Sequence, residues 1–342
     1  MKEEKFRNKI YWFIFVFSML VIWVHSYNAK LFLGTGRTAD MVDRAERLLG
    51  DVVAQVAVPG FFIISGYLFF RNFTIDRLWS KWNSRIKTVL VPFVVWNTIY
   101  YAAYAAGSRI PWLCDILDKG IIPVNLNALV DAVLHYRYNY VFWYLYQLIM
   151  LVMLAPVIYF FLSGRYRRWI YLICLFAGLL AGVSLSPLNL DALLFYSVAA
   201  DAALNHKKMT EAAWSKQRFL SGAAVLAAAC GVYWYSIHYY SVSGIAVYRF
   251  LVPVALWFMV NENWLSEAKP WMKINFFLYA LHFLLVRFIN KAAAMYIPGI
   301  PAVPVMLYLM MPAVILMISY PIAVLLRRHV TALWRLLTGG RN

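Results

Sequence analysis

Two histidines stand in stretches otherwise built of apolar side chains, and an imidazole is the side chain best suited to take and return a proton near neutral pH. His25 follows Val21-Ile22-Trp23-Val24, and His282 follows Tyr279-Ala280-Leu281. An ionisable group in such a segment is costly unless it is paired, so it marks a functional position. His25 reads as a general base, or as a histidine that snorkels to the headgroups or hydrogen-bonds a neighbouring helix. His282 reads as a second base, as a donor to a carbonyl, or as a packing histidine bonded across helices. The hydroxyls of Ser65 and Tyr67 lie in Phe61-Phe62-Ile63-Ile64-Ser65-Gly66-Tyr67-Leu68. This is not the Gly-x-Ser-x-Gly elbow of a nucleophilic serine, and Gly66 reads as a point of close helix approach. Arg71, Arg77, Lys81, Arg85 and Lys87 crowd one short stretch. Arginine forks suit phosphate oxygens, which singles out Arg71 and Arg85 with Lys87 in support, although a cytoplasmic loop gathers the same charges by topology alone. The histidines have no zinc-ligand spacing, and Cys114, Cys174 and Cys230 form no CxxC pair, so neither a metal site nor a disulfide framework is expected.

The elements that must carry these groups are membrane helices. The chain of 342 residues is 63% hydrophobic and only 14% charged, against roughly 25% charged in a soluble domain. Its apolar runs are continuous rather than alternating, which selects helices over a barrel. Ten spans are expected, at 10–27, 51–70, 86–106, 141–162, 169–186, 189–204, 218–236, 245–260, 273–290 and 305–326, in an all-α fold without a separate soluble domain. Most of the 32 lysines and arginines fall before the first span, in alternate loops and after the last. The positive-inside rule then puts both termini in the cytoplasm of a cell-membrane protein. The same distribution accounts for the net charge of +17 without a nucleic-acid partner. No small-x-small cleavage site follows the first apolar run, so that run is expected to stay as a span. The loops 28–50 and 107–140 are the longest. The first reads as a short solvated helix, the second as carrying an amphipathic helix near 126–135, and together they would roof anything bound from outside.

Four stretches in order carry a resemblance to a known family: the first-span histidine, the Phe-Phe-x-x-Ser-Gly-Tyr-Leu segment, Ser84-Arg85-Ile86-Lys87-Thr88-Val89-Leu90-Val91-Pro92-Phe93-Val94-Val95-Trp96, and Tyr279-Ala280-Leu281-His282. Phe142-Trp143-Tyr144-Leu145-Tyr146 fits as well. Together they resemble the acyltransferase-3 family of integral-membrane acyltransferases, and they frame nearly the whole chain, 1–342, as one transmembrane acyltransferase domain.

The resemblance implies transfer of an acyl group, acetyl foremost, from cytosolic acyl-CoA to a hydroxyl of an extracytoplasmic or lipid-linked glycan. It implies His25 and His282 as catalytic residues, and Arg71, Arg85 and Lys87 as ligands of the acyl-CoA phosphates. Trp143, Tyr144, Tyr67 and Ser65 would contact substrate. Acyl-CoA is a donor substrate here, so no permanently bound cofactor is expected; membrane lipid surrounds the chain. Family members often carry a base eleven residues before the first histidine, where this chain has Ile14; Arg7 and Lys9 are the nearest cations. The competing reading is a non-catalytic transporter or exporter of glycan or lipid-linked intermediates. Such a protein is expected to show broken helices, repeat symmetry and several intramembrane charges; the sequence offers one candidate break near Pro59, no visible repeat and few intramembrane charges.

Overall fold

The computed structural model describes residues 1–117 and 119–341. Among them the secondary structure is helical throughout, with one isolated bridge between Leu185 and Leu188 and no strand. Seven helical stretches are long and apolar enough to cross a membrane: Glu3–Leu33, Arg37–Phe70, Ile75–Gly107, Lys216–His238, Val242–Met259, Asn275–Tyr296 and Ala302–His329. An eighth arises if Tyr140–Met153 and Ala155–Leu162 count as one span bent by 58°. The bend falls at Leu154, just before Pro156, whose ring removes a helical N–H and crowds the carbonyl a turn earlier. The expected spans at 169–186 and 189–204 correspond to helices Arg167–Leu180 and Leu190–Asn205, of 14 and 16 residues. The second is buried around nearly its whole circumference, so its apolar composition serves a protein core.

The chain divides into two compact units. The first comprises residues 1–17, 55–83 and 147–273, the second 18–54, 84–146 and 274–342. Helix Glu3–Val24 lends its first residues to one and its last to the other.

In the first unit, helix Ala57–Phe70 lies against Leu190–Asn205. Gly66 makes this possible, because a Cβ there would sit 2.6 Å from the Tyr196 carbonyl oxygen. Lys216–His238 and Val242–Met259 form a hairpin that closes in the same way, with Gly222 against the Ala255 carbonyl. An apolar cavity of about 460 Å³ opens in this unit, with Phe13, Phe17, Ile64, Tyr67, Trp257 and Phe258 among its walls.

In the second unit, Asn275–Tyr296 pairs with Ala302–His329 around a buried cluster of Ile22, Leu278, Val286, Met311 and Ile315. Helix Val91–Gly107 packs on the amphipathic helix Leu126–Leu134, which lies where the sequence places it. It also packs on the terminal helix Thr331–Thr338, where Trp96 Nε1 donates to the Leu337 carbonyl at 2.9 Å.

Candidate active site

His25 stands one residue beyond helix Glu3–Val24, in a turn whose N–H groups still reach back to Ile22 and Trp23. What fixes that turn comes from far along the chain. Glu46 is buried, and its Oε2 accepts the backbone N–H of Asn28 at 3.0 Å and of Ala29 at 3.3 Å. Asn28 Nδ2 donates to Asn290 Oδ1, and Asn290 Nδ2 donates to the Ser26 carbonyl, both at 3.2 Å. Tyr308 donates to the Glu46 carbonyl at 2.9 Å. The short solvated helix expected within 28–50 is Arg37–Arg47, on which Arg47 donates to Asp43 at 2.8 Å. Glu46 was missed. The available signal was that Gly50, four residues on, offers it no partner of the kind Arg47 gives Asp43.

His282 is fully buried in helix Asn275–Tyr296. Its Nδ1 lies 2.6 Å from the Tyr279 carbonyl, which only accepts, so Nδ1 carries the proton and Nε2 of the neutral ring carries a lone pair. That Nε2 has no hydrogen-bond partner among the described residues. The two imidazoles come together with centroids 5.4 Å apart and planes tilted by 40°. His25 Nδ1 is held at 2.7 Å by the Tyr140 hydroxyl. Phe283 sets its ring edge against both His25 and Tyr140. Both histidines are thus tethered through Nδ1. The contact of Tyr140 with His25 joins residues 115 apart in the chain, and nothing local in the sequence signals it.

Around the pair, Tyr279 stacks on Phe142 at 5.5 Å and donates to the Val141 carbonyl at 2.6 Å. Tyr144 meets Tyr279 edge-on at 6.1 Å, which brings it to the histidine neighbourhood, and Trp143 beside it opens helix Trp143–Met153 half-buried.

The expected phosphate ligands fall in two places. Arg85 and Lys87 lie in the second unit, where the C-terminal tail comes to them. Gly339 packs so closely on Thr88 and the Lys87 carbonyl that a Cβ would overlap both. Arg341 lies over the Phe276 ring at 4.3 Å. Burial first, and the nearby Arg85 charge second, pull the Arg341 guanidinium down to about 10. A third base therefore joins Arg85 and Lys87, which chain distance hid from the sequence.

Arg71 lies in the first unit and is already clasped. Its Nε and Nη2 donate to Glu211 at 2.7 and 2.9 Å, and its Nη1 and Nη2 donate to Glu3 at 2.9 and 2.6 Å. Tyr67 donates its hydroxyl to the same Glu211 at 2.6 Å. Burial raises the Glu211 carboxyl, but the bonds from Arg71 and Tyr67 outweigh it and hold the group below its ordinary range. A phosphate at Arg71 would have to displace two carboxylates. Ser65, two residues before Tyr67, is half-buried in helix Ala57–Phe70.

Neither base nearest position 14 is idle. Arg7 pairs with Glu3 at 2.8 Å. Lys9 is buried and donates to the Trp257 and Val260 carbonyls at 2.8 and 2.7 Å, satisfying the open C-terminal end of helix Val242–Met259. No group of three or more His, Cys, Asp or Glu among the described residues has the arrangement of a metal site.

The acyltransferase-3 model, described as an acyltransferase domain, matches residues 10–327. The succinoglycan biosynthesis protein ExoH of Rhizobium meliloti (strain 1021) is 29% identical over 159 residues, covering 43% of this chain and 40% of that protein. The match thus spans about two fifths of the curated relative's length. No solved structure matches significantly. With the family's model extending over nearly its full length, the chain belongs to the acyltransferase-3 family.

Proposed function

We propose that the protein is a cell-membrane O-acyltransferase that moves an acyl group, acetyl foremost, from cytosolic acyl-CoA to a hydroxyl of an extracytoplasmic or lipid-linked glycan. Family membership and a relative named for succinoglycan biosynthesis support acyl transfer to a glycan. The observation that carries the mechanism is the His25–His282 pair, two imidazoles at 5.4 Å with their Nδ1 atoms tethered and the His282 Nε2 without a partner among the described residues. In this reading residues 1–342 form one acyltransferase domain of ten spans, the two short helices included, with both termini in the cytoplasm.

With Nδ1–H given to the Tyr140 oxygen, His25 Nε2 takes the proton of the acceptor hydroxyl as that oxygen attacks the thioester carbon. His282, whose neutral ring offers only a lone pair at Nε2, serves as the second base and stabilises the imidazolium formed beside it. The tetrahedral oxyanion collapses, the C–S bond breaks, and the proton passes to the departing CoA thiolate. One ester forms for each thioester lost. Arg85 and Lys87, joined by Arg341, would hold the donor phosphates. Trp143 and Tyr144, in the same unit as the histidines, would contact substrate, while Arg71, Tyr67 and Ser65 belong to the first unit.

The test is transfer of label from acetyl-CoA to a cell-envelope glycan fraction by purified protein. Wild type is expected to transfer, and His25→Ala to fall by a factor of 100 or more. Wild-type protein that neither binds a CoA thioester nor moves label would overturn the enzyme reading in favour of the transporter.

A further inference from the structure

Two asparagines in the second unit are buried with their carboxamides unused. Asn97 is 1% exposed and Asn139 fully buried, and neither the oxygen nor the nitrogen of either side chain has a hydrogen-bond partner among the described residues. Folded proteins seldom leave buried polar atoms in that condition, and here four occur on two side chains. Nothing in the proposed proton transfer uses them.

The contacts around them say where they lie. On helix Val91–Gly107, positions 93, 97, 101 and 104 share one face. Phe93 stacks on Phe142 at 6.0 Å, whereas Tyr101 and Tyr104 meet Tyr138 at 5.9 and 5.5 Å. The segment 138–142 therefore runs along this face, and Asn97 sits between its two points of attachment, on the stretch that Asn139 and Tyr140 occupy. That segment also reaches both histidines, through Tyr140 on His25 and through the Tyr279 hydroxyl on the Val141 carbonyl. On the same face, Tyr100 donates to the Ala280 carbonyl at 2.8 Å, two residues before His282.

Three kinds of group thus follow one another within a single unit. Arg85, Lys87 and Arg341 cluster at the start of this helix. Asn97 lies ten residues beyond Lys87, about 15 Å at a helical rise. Three residues beyond Asn97, Tyr100 reaches the Ala280 backbone, two residues before His282. An acyl-CoA presents its groups in the same order: phosphates, then two secondary amides, then the thioester.

We propose that Asn97 and Asn139 bind the pantetheine arm of the acyl donor, each carboxamide pairing with a secondary amide of the arm. A carboxamide offers both a donor and an acceptor, as an amide requires, and burial makes the pairing strong. The inference rests on the acyl-CoA reading above and adds the residues that would read the arm and hold the thioester at His25.

Binding of two probes to the purified, full-length protein tests it: acetyl-CoA, and adenosine 3′,5′-bisphosphate, which has the phosphates and lacks the arm. Asn97→Leu and Asn139→Leu are each expected to weaken acetyl-CoA binding about five- to tenfold and to leave the nucleotide untouched. Arg85→Gln is expected to weaken both. Because leucine removes an unpaired polar group at similar volume, the unfolding temperature of Asn97→Leu should hold or rise while donor affinity falls, which a merely structural asparagine would not do. Asn97→Gln provides a second, polar variant with the same expectation for acetyl-CoA. Unchanged acetyl-CoA binding in the leucine variants, equal loss of both probes, or a raised acceptor KM with an unchanged donor KM would each overturn the inference while the acyl-CoA reading stands. Wild type that binds neither probe overturns both.

Discussion

Glu46 Oε2 accepts the Asn28 backbone N–H at 3.0 Å, so a carboxylate from one loop fixes the turn that begins at His25. A buried acceptor that satisfies two backbone donors is worth about 1–3 kcal/mol when removed, because the donors are then left unpaired. Glu46→Ala is expected to lower stability by that order and kcat about tenfold through a misplaced His25. Glu46→Gln keeps an acceptor oxygen and should recover most of both. Thermal unfolding and steady-state kinetics check it; equal kcat in the two variants would remove Glu46 from the positioning of His25.

Tyr140 holds His25 by a single hydroxyl at 2.7 Å. In Tyr140→Phe the ring packing against Phe283 is kept and the tether is lost. The expected outcome is a kcat lower by about 10- to 100-fold, with donor KM and unfolding temperature nearly unchanged. A raised KM with normal kcat would instead make Tyr140 a substrate contact.

The Arg71–Glu211 pair carries a pH dependence whose sign follows from its chemistry. Against the opposing effect of burial, the Arg71 and Tyr67 bonds hold the folded Glu211 carboxyl below its ordinary value of 4.5. Its contribution to stability is therefore present above that value and is lost as pH falls through the lower folded one. The unfolding temperature of wild type should drop across this acid window, and that of Glu211→Gln should drop less. Superimposable pH profiles would contradict the assignment.

Gly66 faces the Tyr196 backbone, which cannot rotate away as a side chain can. Gly66→Ala is expected to push helices Ala57–Phe70 and Leu190–Asn205 apart and to destabilise by about 1–3 kcal/mol. An unfolding temperature equal to wild type would show that the two helices tolerate a wider spacing.

Much of this protein is legible from composition alone, because membrane helices are a local property: a run of apolar residues long enough to span lipid satisfies its own backbone. The same logic exposed His25 and His282, since an imidazole within such a run needs a reason to be there. Gly66 and the amphipathic helix after Asn125 were readable for similar local reasons. The tertiary structure decided what local pattern cannot carry. Glu46 looks like one more solvated acid until Asn28 is brought to it, Arg341 like a tail charge until Gly339 docks at Thr88, and Tyr140 like any aromatic until it meets His25 across 115 residues. The apolar run of Leu190–Asn205 serves protein packing, a distinction that depends on what surrounds a helix. Asn97 and Asn139 are the clearest case. Whether a carboxamide is satisfied is a matter of which other segments approach it, and only the folded chain leaves these two buried without a hydrogen-bond partner among the described residues.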